Sequence, residues 1–228
     1  MRIGLLGGSF NPIHNCHLQI AALVRDRMRL DRILFIPAGD PPHKPERSLA
    51  PAVHRYEMVR LAIEADPTLA ISDIEVRRTG KSYSIDTIRA LRDQHGKDAE
   101  LFFIIGLDAF LELPSWKEAA HLLRSCHFVV VSRPGLSFRL LAAMPLLPPI
   151  PEAPLAVLDN QNLDRLDVPI TPASAVTLLR LPPCEVSASD IRNRLHRRES
   201  LAKVLPPPVE SYIIQHGLYR EDANRTGV

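Results

Sequence analysis

Ile3-Gly4-Leu5-Leu6-Gly7-Gly8-Ser9-Phe10-Asn11-Pro12-Ile13-His14-Asn15-Cys16-His17 is an apolar run that breaks at a glycine turn and reopens as a helix. Ile3 to Leu6 reads as a buried strand. Residues from about 15 to 29 read as a helix, with Ile20, Leu23, Val24 and Met28 on one face. Glycines after a strand let the backbone approach a phosphate, and a helix N-terminus offers unpaired N–H groups and a positive dipole end. Gly7, Gly8, Ser9 and Phe10 are therefore candidates for holding a phosphate. His14 and His17 are three residues apart and share a helix face, where two imidazoles can donate hydrogen bonds to a phosphate. The bland alternative is a glycine turn followed by two surface histidines. A metal pair is the other, but no third ligand stands nearby in the sequence.

Working outward, the pattern of strand, turn and helix repeats. Apolar strands are expected at 32–36, 70–76, 101–105, 128–131 and 176–181, and helices at about 52–64, 85–94, 187–197 and 209–216. Continuous rather than alternating apolar strands mean burial on both faces. The fold class expected is α/β: a Rossmann-like, doubly wound parallel sheet with helices on both faces. In such sheets ligands sit beyond the carboxyl ends of the strands. One domain spanning 1–228 is expected, interrupted at about 135–175 by a Pro-rich connection with one short helix near 138–143.

Composition narrows the classes of function. Of 228 residues, 46% are hydrophobic and 24% charged, enough for one large core and unlike a disordered chain. A net charge of +2 and 5% aromatic content give no sign of a nucleic-acid partner. No stretch is long and apolar enough for a bilayer, so neither a membrane partner nor a membrane location is expected, and the cytoplasm is the default. Cys16, Cys126 and Cys184, an odd count without metal spacing, are expected as reduced thiols. Self-association into a homo-oligomer is left open.

Further candidates follow the other strands. Pro41-Pro42-His43-Lys44 is a rigid loop carrying two groups suited to an anion, or equally a solvated loop lysine. Ser82-Tyr83-Ser84 precedes a helix that Ser84 is expected to cap, and a helix N-terminus beside an aromatic ring could receive a carboxylate on a flat ring. Gly106, after a buried strand, admits a ribose or base, and Asp108 can accept from hydroxyls or simply cap a helix. Trp116 is the sole tryptophan, and alone would as soon be core; Arg133 is a further cation beyond a strand end. Ser187, Ser189 and Arg192 open a helix and read either as a receptor for phosphates, built from hydroxyls, free N–H groups and a cation, or as part of a capped basic helix whose Arg194, Arg197 and Arg198 follow on a solvated face.

Taken together these residues resemble a known family. Gly-Gly-Ser-Phe-Asn-Pro-Ile-His-Asn-Cys-His is similar to the first motif of the HxGH nucleotidyltransferase superfamily, and Val186 to Arg192 to its second. Pro41 to Lys44, Ser82 to Ser84, Ile104 to Asp108 and Pro114-Ser115-Trp116 resemble the nicotinate mononucleotide adenylyltransferases in particular. The resemblance implies transfer of the adenylyl group of ATP to nicotinate mononucleotide, giving deamido-NAD and pyrophosphate. It implies His14, His17, Lys44 and Arg192 as the catalytic set. Gly7, Gly8, Ser9, Phe10, His43, Gly106, Asp108, Ser187 and Ser189 would bind ATP or its phosphates. Ser82, Tyr83, Ser84, Trp116 and Arg133 would hold the nicotinate nucleotide, with Trp116 stacked on the pyridine ring. Mg²⁺ would enter with ATP, since no dedicated carboxylate cage and no protein metal site is visible. Two positions depart from the pattern: Cys16 where glycine is usual, and Asp190 where threonine is usual. The rival readings are another adenylyltransferase of the superfamily, of the pantetheine-phosphate type, and a non-catalytic nucleotide-binding domain.

Overall fold

Each central strand carries apolar side chains in both directions, so each needs a helical layer on either side. A computed structural model of the chain, describing residues 1–42 and 49–219, has that arrangement. In chain order the elements are β1 (Arg2–Gly8), α1 (Asn15–Met28), β2 (Arg32–Pro37), α2 (Ala52–Ile63), β3 (Leu69–Ile71), α3 (Ser84–His95), β4 (Glu100–Gly106), α4 (Leu107–Leu111) and α5 (Ala119–Ser125). Then come β5 (His127–Val131), α6 (Glu152–Asp159), β6 (Arg165–Thr171), β7 (Ser174–Leu179), α7 (Ala188–His196) and α8 (Pro207–Gln215). The strands form one sheet in the order β3-β2-β1-β4-β5-β7-β6.

Alternation along each strand divides the core in two. Leu34, Ile36, Phe103, Ile105, Phe128 and Val130 face one layer with residues of α3, α5 and α6. Ile33, Phe35, Phe102, Ile104, Val129 and Val131 face the other, with α1, α2, α7 and α8. A period of two along the backbone produces this division, and burial of both faces explains why the strands read as unbroken apolar runs. β1 pairs in parallel with β2 on one side and β4 on the other. The connections leave in opposite directions from there, so the carboxyl ends of β1 and β4 flank the crevice where such sheets bind ligands.

Several expectations need correction. The strand expected over 70–76 ends at Ile71, because Ser72 and Asp73 turn the chain: the Ser72 hydroxyl accepts the Ile74 N–H at 3.3 Å. The Pro-rich connection is less irregular than its composition suggests. Besides the expected short helix, a 3-10 turn at Phe138–Ala143, it contains α6 and the strand β6. Pro154 is tolerated in the first turn of α6, where backbone N–H groups lack partners anyway, and Pro169 lies on an edge strand. β6 runs antiparallel to β7, so the sheet is not wholly parallel. Ser84 is not the cap of α3: Tyr83 occupies that position, and Ser84 is the first helical residue.

A further correction concerns the thiols. Cys16 and Cys184, 168 residues apart, are joined as a disulfide with their Cα atoms 5.8 Å apart. Only Cys126 remains a thiol, and complete burial pushes its pKa up to about 12.

Candidate active site

The turn after β1 is built over a packed aromatic. Phe10 adopts φ 44°, a left-handed conformation that costs a non-glycine residue energy, and its ring is 2% exposed. That ring fills the space under the turn, 5.0 Å from the His17 ring and 5.7 Å from Phe35. Gly7 is exposed above it, with open space where a Cβ would stand, so a ligand can approach the backbone there.

The histidines follow directly. His14 caps α1 and His17 is its third residue; their rings lie 3.8 Å apart. The His14 backbone N–H donates to His17 Nδ1 at 3.2 Å. An Nδ1 that accepts leaves the ring proton on Nε2, so the far side of His17 is a donor. His14 is 6% exposed, and burial, aided by the Arg133 charge, lowers its pKa to about 4. Among the described residues its buried Nδ1 has no hydrogen-bond partner, a polar atom that a ligand could satisfy.

Two cavities meet at this point. One, of about 390 Å³, is lined by Tyr83, Ser84, Trp116 and Gly106, and the other, of about 590 Å³, by His14, Ser187, Ser189 and Arg192. Ser9, His17 and Arg133 line both. Arg133 Nε donates to Asp108 Oδ1 at 3.1 Å beside Gly106, and a Cβ on Gly106 would run into both side chains. On the apolar side, Trp116 packs edge-on to Phe103 with centroids 6.4 Å apart, and its buried Nε1 has no hydrogen-bond partner.

On the far side, Ser187 caps α7 by accepting the Asp190 N–H at 3.0 Å. Arg192 is held by two contacts, donating to the Asn11 carbonyl at 2.7 Å and the Ser189 hydroxyl at 3.1 Å. This draws the second motif onto the first across 181 residues of sequence. Asp190, the acid that departs from the family pattern, is engaged by Arg194 Nε at 2.9 Å, one helical turn along.

Of the residues singled out from sequence, the structure brings Gly7, Gly8, Ser9, His17, Ser82, Tyr83, Ser84, Gly106, Trp116 and Arg133 around the first cavity. Phe10, His14, Asp108, Ser187, Ser189 and Arg192 stand around the second. Phe10 contributes from beneath, through packing. His43 and Lys44 lie outside the described residues. Sequence reasoning overlooked three charged residues. Lys117, directly after Trp116, lies 4.8 Å from the centre of the Tyr83 ring and pairs with Asp86 at 2.9 Å. Glu75 lines the first cavity, donated to by Thr87 at 2.7 Å, and burial raises its pKa. Arg55 is 1% exposed and donates to the carbonyls of Ala50 and Ser9 at 2.8 Å and of Gly39 at 3.0 Å. The signal for Arg55 was there: it shares the apolar face of α2 with Met58 and Val59. Among the described residues, no group of three or more His, Cys, Asp or Glu is placed to hold a metal ion.

Comparison with known proteins follows the same outline. The model of the cytidylyltransferase-like family matches residues 5–194. A relative from Geobacter metallireducens, named "Probable nicotinate-nucleotide adenylyltransferase", is 44% identical over 97% of this chain and 100% of its own. One of the same name from Moorella thermoacetica is 35% identical over 96% of this chain and 92% of its own. Among solved structures, the Plasmodium falciparum nicotinic acid mononucleotide adenylyltransferase complexed with NaAD superposes with a TM-score of 0.70 at 20% identity, covering 96% of this chain and 97% of that one. The same protein complexed with APC gives a TM-score of 0.69. At that identity the structural likeness speaks to the fold, and the sequence relatives speak to the family.

Proposed function

The chain belongs to the cytidylyltransferase-like family, among the nicotinate-nucleotide adenylyltransferases, and we infer from that membership and the site's geometry that it transfers the adenylyl group of ATP to nicotinate mononucleotide, giving deamido-NAD and pyrophosphate in NAD biosynthesis. The observation that carries this reading is the pair of cavities that share Ser9, His17 and Arg133. One side has a flat-ring environment and the other a phosphate receptor, so two substrates can meet across one histidine.

The phosphate of nicotinate mononucleotide is already an anion. Its oxygen attacks the α-phosphorus of ATP, a new P–O bond forms, and the bond to pyrophosphate breaks. No general base and no covalent intermediate are required, so the protein's work is positioning and charge stabilisation. His17 Nε2–H and His14 steady the α-phosphate and the bridging oxygen. Arg192 and Lys44 neutralise the triphosphate; Ser187, Ser189 and the N–H groups of α7 hold its far end. Asp108 takes ribose hydroxyls. Trp116 stacks on the pyridine ring, and the carboxylate lies toward the start of α3, near Lys117. Mg²⁺ arrives as Mg-ATP, part of the substrate. No helix among the described residues is long and apolar enough to cross a membrane. A cytoplasmic enzyme that binds neither nucleic acid nor membrane fits these substrates.

Pyrophosphate release tests the reading, with Mg-ATP and one acceptor at a time: nicotinate mononucleotide, nicotinamide mononucleotide or phosphopantetheine. Strong preference for the first is expected. Turnover with phosphopantetheine alone would overturn the acceptor, and ATP binding without release would reduce the chain to a binding domain.

A further inference from the structure

The bridge between Cys16 and Cys184 connects the two halves of the phosphate site. Cys16 stands on α1 between His14 and His17, 3% exposed. Cys184 stands half-buried, three residues before the Ser187 cap. The segment between them and the sheet is lightly held. The Leu181 N–H donates to the Ser132 hydroxyl at 3.0 Å, and the next hydrogen bond along the chain is the Ser187 cap itself. Among the described residues no hydrogen bond engages 182–186. Apart from the packing of Val186 on the core, the sulfur bridge is the tether of this extended stretch, and so bears on the approach to Ser187 and Ser189.

Both sulfur-bearing residues line a third cavity, of about 230 Å³, which shares Ile20 and Arg133 with the first. Arg133 and Arg180 line it too, paired with Asp108 at 3.1 Å and Asp164 at 3.4 Å, together with Asp159, which is engaged by Ser137; among the described residues Arg180 Nε is buried without a hydrogen-bond partner. A small anionic thiol or disulfide can therefore reach the bridge beside two cations, which favour thiolates as well as the anion. The remaining thiol, Cys126, is completely buried elsewhere in the core.

We propose that Cys16 and Cys184 are a redox-active modification site for low-molecular-weight thiols and disulfides, and that the bridge sets how well the phosphate receptor holds ATP. The proposal rests on the reading of that receptor as the ATP site. Oxidation runs by exchange. The Cys184 thiolate attacks one sulfur of a disulfide reagent and releases one thiol; Cys16 then displaces the second. Two protein thiols and one reagent disulfide become one protein disulfide and two reagent thiols, and two electrons pass to the reagent. Reduction reverses each step. In a reducing compartment such bridges are typically transient and redox-sensing rather than permanent. The bridged form has the receptor in place before ATP arrives; the dithiol form has to order residues 182–186 on binding, which weakens affinity.

The test uses the full chain equilibrated in glutathione and glutathione disulfide at varied ratios. Alkylation and peptide mass analysis count the bridge, and binding of a non-hydrolysable ATP analogue by calorimetry is measured alongside KM for Mg-ATP in pyrophosphate release. Two cysteines should exchange together while Cys126 reacts only after unfolding. Affinity for the analogue should fall about three- to tenfold on reduction. Cys184→Ser should stay near the reduced value at every ratio, with Cys184→Ala in its place should the serine variant misfold. Absence of a Cys16–Cys184 peptide in excess glutathione disulfide would overturn the site, and equal analogue affinity in both states would overturn its effect. Sulfur counting needs no substrate and analogue binding needs no turnover, so failure of the proposed reaction would show in the pyrophosphate assay alone.

Discussion

His17 accepts the His14 backbone N–H at Nδ1, which leaves its ring proton on Nε2 as a pre-placed donor. Removing one pre-placed donor of this kind typically costs about 10²–10³ in rate. His17→Ala should therefore lower kcat by about that factor while circular dichroism and the unfolding midpoint change little. His14 carries a different consequence. In the folded chain burial holds its pKa down at about 4, against the 6.5 of a free imidazole, so its contribution depends on pH. Above 6.5 it is neutral in both states and makes no difference. Between 6.5 and 4 the unfolded chain gains a proton that the folded chain refuses, so stability falls as pH falls. Its share of that fall is about 3 kcal/mol, and His14→Gln should remove it from urea unfolding midpoints measured between pH 7 and 4.5. The residues themselves were legible in the sequence because chemistry-bearing types stood together after a strand. The state of each ring was not, because it depends on which neighbour folds over it.

At the scale of elements, α7 shows how a cap can serve stability and binding at once. The Ser187 hydroxyl accepts the Asp190 N–H and still carries a proton to donate. Ser187→Ala should cost about 1 kcal/mol in unfolding free energy and raise KM for ATP several-fold, with KM for nicotinate mononucleotide unchanged. Restored stability with unrestored KM on adding a stabilising solute would separate the two roles. The elements that were legible are those with a continuous apolar signal: β1, β2, β4 and β5 lie close to where the sequence puts them. β6 was hidden because its exposed face carries Arg165, Asp167 and Pro169, which read as loop. The disulfide was hidden for another reason. Pairing across 168 residues is a property of the assembled sheet, and local spacing carries no trace of it.

For the whole molecule, Arg55 matters more than its distance from the chemistry suggests. Its guanidinium gathers the turn after β1, the loop after β2 and the entry to α2 by their carbonyls. Truncation takes the donor from three half-buried carbonyls, each loss costing about 1–2 kcal/mol. Arg55→Ala should lower stability by about 3–5 kcal/mol and depress activity with both substrates; an unfolding midpoint equal to the parent's would contradict this account. Finally, the margins of the sheet bear on how copies of the chain meet. β3, at one margin, is three residues long. β6, at the other, has a register shift between Pro169 and Thr171, a proline without an N–H, and alternating charges at Arg165 and Asp167. Neither offers a straight row of unsatisfied backbone groups to a neighbouring molecule, so this protein is poorly suited to grow strand upon strand into fibrils, and any association between copies falls to helices and loops.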